Sequence, residues 1–582
     1  MICNVSSLCL KDRRNVNGRN FISPVKNQDI PQYCDASWAF SVTSALTDRM
    51  RYLEGPSWPF QELSVQVLIN CADGYSGCYG GDVFSAYKYI MSVGIPGESC
   101  MPYLGVEDRC TSENICRVCT DTDVCSAVLS YQKYYISSYD TVSGISAMMD
   151  QIYFNGPITC KISVTYDLLN YRNGIFTRNT SSSLYDQYVN IIGWGSENET
   201  PYWIVRNNWG SSWGENGYFR ILRGLNLLGI ESSCSYAIPY STHLTRNETN
   251  ELKEMNKPAS LNETNSLNQT KSLNQTHSLN ESKPSNSLNE SKPSNSLNQT
   301  HSLNESKPSN PLNPLNAFSA CGFPTNWTAH PPVIHSPLPW TYVNPASLPT
   351  QYDIRSLNGV DYSTPIRTQN APQFCNACWA QAATSALSDR LQLQSKGAWP
   401  MVVLSAQMVV NCASGSCDGG DPGEVYRFAY MSSISDESCQ VYEGKKKTCN
   451  GRGRCMDCKR FGECVEVSSY RKVSVSEYGE VLGVEQMKAE IYERGPITCF
   501  MVITDQFRRY KGGVFVEQDH KYLGGHIVEV VGWGRTESGM EYWIGRNNWG
   551  ENWGEKGWFR IMMGGNNLLI ESSCSWGVPY VY

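Results

Sequence analysis

Five cysteines of this chain occur twice. Cys34, Cys71, Cys100, Cys160 and Cys234 recur as Cys375, Cys412, Cys439, Cys499 and Cys574, at offsets that stay between 339 and 341. An offset that constant means that one fold is built twice. Each copy has about 240 residues, enough for a large buried core of its own. The copies differ at two positions that carry chemistry. Ser37 in the first stands where the second has Cys378, and Gln187 stands where the second has His526.

The 24 cysteines divide into twelve in each half of the chain. Such density at fixed spacing points to an oxidising compartment. Sequons at Asn4, Asn179, Asn198, Asn247, Asn262, Asn268, Asn274, Asn280, Asn289, Asn298, Asn304 and Asn326 agree. A secreted or lysosome/vacuole-like location is expected. No signal peptide is visible at Met1–Ser6, so the start reads as truncated or as an internal Met. No stretch is long and apolar enough to span a membrane as a helix. The formal net charge is −7, and Lys445-Lys446-Lys447, the only basic run, reads as a solvated loop. Nothing points to nucleic acid.

Residues 1–240 form the first globular domain. Residues 241–316 repeat Ser-Leu-Asn-Glu-Ser-Lys-Pro-Ser-Asn and Ser-Leu-Asn-Gln-Thr, with few aromatics. Such a segment cannot bury enough apolar area to fold and reads as a glycosylated tether. Residues 317–348 are Pro-rich and carry Cys321, and residues 349–582 form the second domain. Within each copy the texture changes midway. The Ala-rich run after Cys378, with Leu387 and Leu391 four apart, predicts a helix that stops by Gly397. Pro496 to Thr504, His526 to Val531 and Tyr542 to Arg546 read as strands. The expected class is α+β, a helical lobe followed by a β-rich one.

The chemistry sits in the second copy. A thiol attacks as thiolate, and a helix N-terminus and an imidazolium both lower its pKa. Cys378 stands where the helix should begin, and His526 follows about 150 residues later as a base brought in by folding. Asn547 could accept from the imidazole and orient it. Gln369, with the Cys378 backbone N–H, could stabilise a developing oxyanion.

Four motifs in order carry a family resemblance. They are Gln369 through Gln373-Phe374-Cys375-Asn376-Ala377-Cys378-Trp379-Ala380, Cys417-Asp418-Gly419-Gly420, His526 through Gly532-Trp533-Gly534, and Asn547-Asn548-Trp549-Gly550. The chain resembles papain-like cysteine peptidases over nearly all of both copies. Within that family it is similar to the cathepsin X (cathepsin Z) group, through the extra residues Asn370 to Phe374, Asp389-Arg390 and Gly397-Ala398-Trp399-Pro400. The resemblance implies two papain-like domains, each a helical lobe and a β-barrel-like lobe with the cleft between them. It implies Cys378 as nucleophile, His526 as acid/base, Asn547 as orienter and Gln369 as oxyanion donor. Trp549 would cover the His526–Asn547 pair. Asn370, Gly419, Gly420 and Trp549 would line the substrate site. Peptide or protein substrates and protein inhibitors are the implied partners, together with contact between the two domains; no cofactor or metal is implied.

The family group removes single residues from the substrate C-terminus, and a His in the insertion binds the terminal carboxylate. That position is Asn370 here, which can donate a hydrogen bond but carries no charge, so exopeptidase action is weakened. In the first copy it is Asp29, which would repel a carboxylate.

Cys449, Cys455, Cys458 and Cys464 have the spacing of Cys110, Cys116, Cys119 and Cys125. Four such cysteines could bind zinc; the sequons and the protease context favour disulfides. The resemblance implies the pairs Cys34–Cys78, Cys71–Cys110, Cys100–Cys116, Cys119–Cys125 and Cys160–Cys234. In the second copy it implies Cys375–Cys417, Cys412–Cys449, Cys439–Cys455, Cys458–Cys464 and Cys499–Cys574. It also implies that Cys321 caps Cys378 in a zymogen. Cys3 and Cys9 pair with each other or remain from a truncated pro-region.

Residues 1–240 contain no histidine. Ser37, Gln187, Asn207 and Gln28 are the inactive equivalents of Cys378, His526, Asn547 and Gln369. The first copy therefore reads as a pseudopeptidase, either a relic kept for folding or a binding module. For the whole chain the leading reading is a cysteine peptidase, a carboxypeptidase by resemblance. The alternatives are an endopeptidase and a binding or adhesion protein built of two protease-like modules.

Overall fold

The computed structural model describes residues 11–240, 321 and 331–581, apart from 56–59, 73–76, 123, 179–181, 461 and 519–520. The tether, Cys3, Cys9, His520 and the sequons at Asn4, Asn179 and from Asn247 to Asn326 fall outside these residues. Asn198 lies exposed in the turn between two strands.

Each copy opens with one long helix, Ser37–Glu54 and Cys378–Gln394. The second is rich in Ala, which orders at little side-chain cost. It is buried on every side from Cys378 to Gln392, as a helix at the centre of a fold is. It ends three residues before Gly397, whose left-handed φ of +72° lets its N–H reach back to the Gln392 carbonyl. Two shorter helices complete each helical lobe, Val65–Cys71 with Val83–Ser92 and Ala406–Cys412 with Pro422–Met431. Ser64 and Ser405 cap the first of each pair through their hydroxyls.

The second lobe of each copy is an eight-stranded sheet. In the second copy the order is Val473–Val481, Cys574–Val581, Ile497–Thr504, Tyr522–Arg535, Glu541–Arg546, Trp558–Met562 and Val514–Phe515, with Tyr352–Asp353 added to Tyr522–Arg535. The first copy repeats it from Ile136–Val142 to Ile175–Phe176, with Lys11–Asp12 added. The sheet is an open path and does not close into a barrel. Each copy packs one apolar core in the helical lobe and another on the sheet.

The copies meet along a seam in which the same loops serve from both sides. Cys119 N–H donates to the Asn370 carbonyl at 2.9 Å, and the Cys119 sulfur lies 3.4 Å from the Pro372 carbonyl oxygen. Reciprocally, the Cys458 sulfur lies 3.6 Å from the Pro31 carbonyl oxygen. Glu551 accepts from Gly97 N–H at 3.0 Å and donates its own N–H to Ser99 Oγ at 3.1 Å. Its counterpart Ser211 donates its N–H to Ser438 Oγ at 2.9 Å and its hydroxyl to Asp436 at 2.6 Å. Between these contacts lies a cavity of about 130 Å³, with Ile30, Phe40 and Tyr103 on one side and Ile366, Val403 and Tyr442 on the other.

Candidate active site

Cys378 is the first residue of its helix, and no acid sits in the first turn to oppose the helix field. The Cys378 and Cys321 sulfurs and a ring nitrogen of His526 all lie within 4.8 Å of one another. His526 Nε2 is 2.8 Å from Asn547 Oδ1, and the Trp549 ring covers the imidazole at 4.7 Å. His526 lies inside the strand Tyr522–Arg535, not at the start of a strand as the sequence suggested. Gly524 and Gly525 look like a break, but they pair with Ile503 and Val502. A Cβ on Gly525 would meet the Phe500 ring at 2.6 Å, so close approach demands glycine there.

Gln369 is buried, and neither atom of its amide has a hydrogen-bond partner. An unspent buried donor suits an anion that forms only during reaction. The other expected donor, Cys378 N–H, points at the Cys321 sulfur at 3.2 Å. Cys321 is disulfide-bonded to Cys378 and bridges Gly525 on the His526 strand. The expected nucleophile and one expected oxyanion donor are thus both engaged by the segment that carries Cys321.

Burial lowers the His526 pKa to about 4 from its ordinary 6.5, and the bond to Asn547 offsets this in part. Between those values the unfolded chain binds a proton that the folded chain refuses, so stability falls as pH drops through the window. The loss is on the order of 3 kcal/mol, at 1.36 kcal/mol per pH unit. Denaturation of the disulfide-intact protein at pH 7 and pH 4 should show it. His526→Gln should lose correspondingly less over the same interval; equal losses would show that His526 does not titrate this way.

Asn370 does not lie open to the cleft. It is 1% exposed, its carbonyl is tied to Cys119 of the first copy, and neither side-chain polar atom has a partner. Gly419 and Gly420 form one side of a two-residue hairpin with Gly415–Ser416. A Cβ on Gly420 would strike the Trp379 ring at 2.5 Å, so this glycine lets the hairpin sit against the nucleophile helix. Trp549 and Trp553 both belong to the buried core of the sheet lobe, and Trp553 donates to the Arg508 carbonyl at 3.0 Å.

The first copy holds the same positions in a different state. Gln187 Nε2 donates to Asn207 Oδ1 at 3.2 Å and lies 3.4 Å from Gln28 Oε1. The amide that replaces imidazole thus fills its place with hydrogen bonds, and Gln28 is turned inward. Ser37 Oγ accepts the Tyr188 N–H at 3.2 Å, and the amide Gln187 stands where the second copy has an imidazole.

Eleven disulfides join described cysteines. In the first copy they are Cys34–Cys78, Cys71–Cys110, Cys100–Cys116, Cys119–Cys125 and Cys160–Cys234. The second copy repeats these five pairs and adds Cys321–Cys378. The Cys458–Cys464 group is therefore cystine in this structure, and its sulfurs are not metal ligands.

Each copy also holds a buried charge cluster that the sequence reading missed. Arg546 donates to Glu529 at 2.6 Å and to Asp389 at 2.9 Å. In the first copy Arg206 meets Asp48 at 2.8 Å, and Asn190 stands in the place of Glu529. Aligned against its own duplicate, the chain shows Arg and Asp at both positions, which was the available signal.

The papain family cysteine protease model matches residues 10–238 and 348–578. The chain belongs to the papain family of cysteine proteases. It is 44% identical over 241 residues to a cathepsin Z of Onchocerca volvulus, which covers 40% of this chain and 78% of that protein. It is 34% identical over 226 residues to a pro-cathepsin H of Bos taurus, covering 38% of this chain and 62% of that protein. Among solved structures, the procathepsin B S9 of Trypanosoma congolense aligns over 45% of this chain and 87% of its own, at 27% identity and a TM-score of 0.38. Among the described residues no helix is long and apolar enough to cross a membrane.

Proposed function

We propose that the second copy hydrolyses peptide bonds through a Cys378 acyl-enzyme and that the first copy is catalytically silent. The observation that carries this reading is the set of Cys378 at a helix start, His526 held by Asn547, and the unspent Gln369 amide. In the first half-reaction the Cys378 thiolate attacks the scissile carbonyl. Gln369 and the freed Cys378 N–H hold the oxyanion, and His526 protonates the leaving amine. In the second, His526 takes a proton from water, which attacks the thioester and releases the acid.

Residues 317–348 act as a pro-segment in this reading, and the Cys321–Cys378 disulfide as its lock. Carboxypeptidase action rests on the likeness to cathepsin Z and on the insertion at Asn370 to Phe374. The buried side chain of Asn370 argues for a weak carboxylate clamp, so an endopeptidase reading stands beside it. Residues 241–316 are proposed as a glycosylated tether, in a secreted or lysosome-like protein.

Cys321→Ser should hydrolyse a fluorogenic peptide without reductant, whereas the wild type should require one. Equal reductant dependence in both would remove the lock from the proposal. A thiol-directed epoxide should label Cys378 after mild reduction, and His526→Ala should abolish that label. Absence of label on the reduced wild type would favour the binding or adhesion reading. Matched peptides with free and amidated C-termini then separate exopeptidase from endopeptidase action.

A further inference from the structure

Among the described residues, one group of three His, Cys, Asp or Glu side chains brings its ligand atoms together. It is Cys321, Cys378 and His526, within 4.8 Å of one another and all buried. Two thiolates and an imidazole on one tetrahedral zinc stand about 3.5–3.8 Å apart, from bonds of roughly 2.0–2.3 Å. The imidazole already has the orientation that a metal ligand needs. Asn547 Oδ1 accepts the Asn548 N–H at 2.8 Å, which fixes it as the oxygen of that amide. In the neutral ring, His526 Nε2, 2.8 Å from the same oxygen, must carry the hydrogen and donate it. The lone pair is left on Nδ1, which is buried without a hydrogen-bond partner. An outer hydrogen bond of this kind sets the tautomer and ring angle of metal-bound histidines.

Reduction opens the disulfide but does not remove the segment that carries Cys321. Val333 and Tyr478 exchange both backbone hydrogen bonds, at 3.0 and 2.9 Å. His335 and Ser336 donate their N–H groups to Glu477 at 2.9 and 3.0 Å, and Arg494 donates to the Pro337 carbonyl at 2.8 Å. None of these contacts passes through the disulfide. The Cys321 thiol thus stays tethered near Cys378, and a short tether gives an effective concentration on the order of millimolar. Charge favours a second sulfur. A zinc ion with one thiolate and one imidazole keeps a net positive charge, which burial penalises, whereas a second thiolate makes the set neutral. The Cys378 N–H, pointing at the Cys321 sulfur at 3.2 Å, is placed to stabilise that thiolate.

We infer that the reduced pro-segment holds zinc: the Cys321 and Cys378 thiolates and His526 Nδ1 bind one ion, with a water in the fourth position. The inference rests on the proposed peptidase in its consequence, since the ion ties up the nucleophile and the base assigned there. A dithiol first gives the cystine two electrons and two protons and leaves as its own disulfide. Zinc then displaces both thiol protons to solvent while His526 supplies a lone pair, so no further electrons move. Thiolate and imidazole ligands suit zinc, whereas calcium and magnesium take oxygen. The chain then carries two locks in series, one opened by reduction and the next by loss of zinc.

The test uses the full chain, reduced without oxygen by a phosphine until two additional thiols per chain titrate; a phosphine opens cystine and leaves no competing thiol. Cobalt(II) is the probe and zinc its competitor. One cobalt per chain should bind, with the visible absorption of a tetrahedral ion and a thiolate-to-cobalt charge-transfer band, and zinc should erase both. The unreduced chain should show neither. Cys321→Ser should weaken zinc at least a hundredfold, and His526→Ala and Asn547→Ala at least tenfold. One equivalent of zinc should silence the reduced wild type toward a fluorogenic peptide, and a chelator should restore it. Cys321→Ser should need at least a hundredfold more zinc for the same effect. No cobalt band in the reduced wild type would overturn the site. Equal zinc affinity in wild type and Cys321→Ser would leave only the Cys378–His526 pair and overturn the pro-segment as a ligand. Unchanged affinity in His526→Ala would overturn the imidazole. Zinc binding without loss of hydrolysis would overturn the second lock. A zinc-free reduced chain that hydrolyses nothing would strike the proposed peptidase and leave the cobalt spectrum and the affinities readable.

Discussion

Replacing His526 with alanine will lower turnover of the reduced protein by about 10⁶-fold, the scale at which loss of a nucleophile or its base disables a serine protease. Neither polar neighbour named above can replace it: Asn547 accepts from the ring, and Gln369 cannot take a proton. Cys378→Ala should cost about as much, and the double variant no more, because the two groups act as one unit. Gln369→Ala should cost only about 10² to 10³-fold, the range for one oxyanion donor. The measurement is kcat on a fluorogenic peptide after reduction, with active-site titration to count competent molecules. Residual turnover above about one percent in His526→Ala would mean that the proposed base is not the base. The chain contains its own comparison, since Gln187 and Ser37 already stand at these places in the first copy.

Arg546→Met should destabilise the second copy by about 3–5 kcal/mol, the usual penalty for stranding a buried charge. One guanidinium serves two carboxyls, Glu529 and Asp389, and all three are buried. Burial and the nearness of Asp389 push Glu529 well above the carboxylate range. Glu529→Gln should cost less than Arg546→Met, because an amide oxygen can still accept from Arg546 and Asp389 remains to pair the guanidinium. The first copy supports the contrast: Arg206 donates to Asn190 at 3.0 Å where the second copy has Glu529. Urea denaturation of full-length single variants reads the difference in midpoint. Equal losses in the two variants would show that the Glu529 carboxyl matters to the cluster as much as Arg546 does.

The site was legible in the sequence where its parts lie in local motifs. Cys378 begins a run that can only be a helix, and Asn547-Asn548-Trp549-Gly550 stands where a strand ends. The α+β division was legible for the same reason, since the Ala-rich and β-branched stretches do not mix. The start of the His526 strand was not, because Gly524-Gly525 is a breaker by propensity and a requirement by packing against Phe500. The surroundings of Asn370 and Asp29 were not legible either. Both were judged by side-chain charge alone, yet both lie in a seam whose other face is supplied by residues several hundred positions away. No local pattern announces that Cys119 will take the Asn370 carbonyl or that Asp457 will approach Asp29.

The reciprocal seam has a consequence in mass action. Equivalent loops facing each other are the geometry of an isologous dimer, whose association normally depends on protomer concentration. Here both halves travel in one chain, so their encounter is intramolecular and its effective concentration is set by the connecting segment. Dilution into a large extracellular volume would dissociate a two-chain dimer of this design. It leaves this molecule whole, and with it every site that borrows a wall from the opposite half.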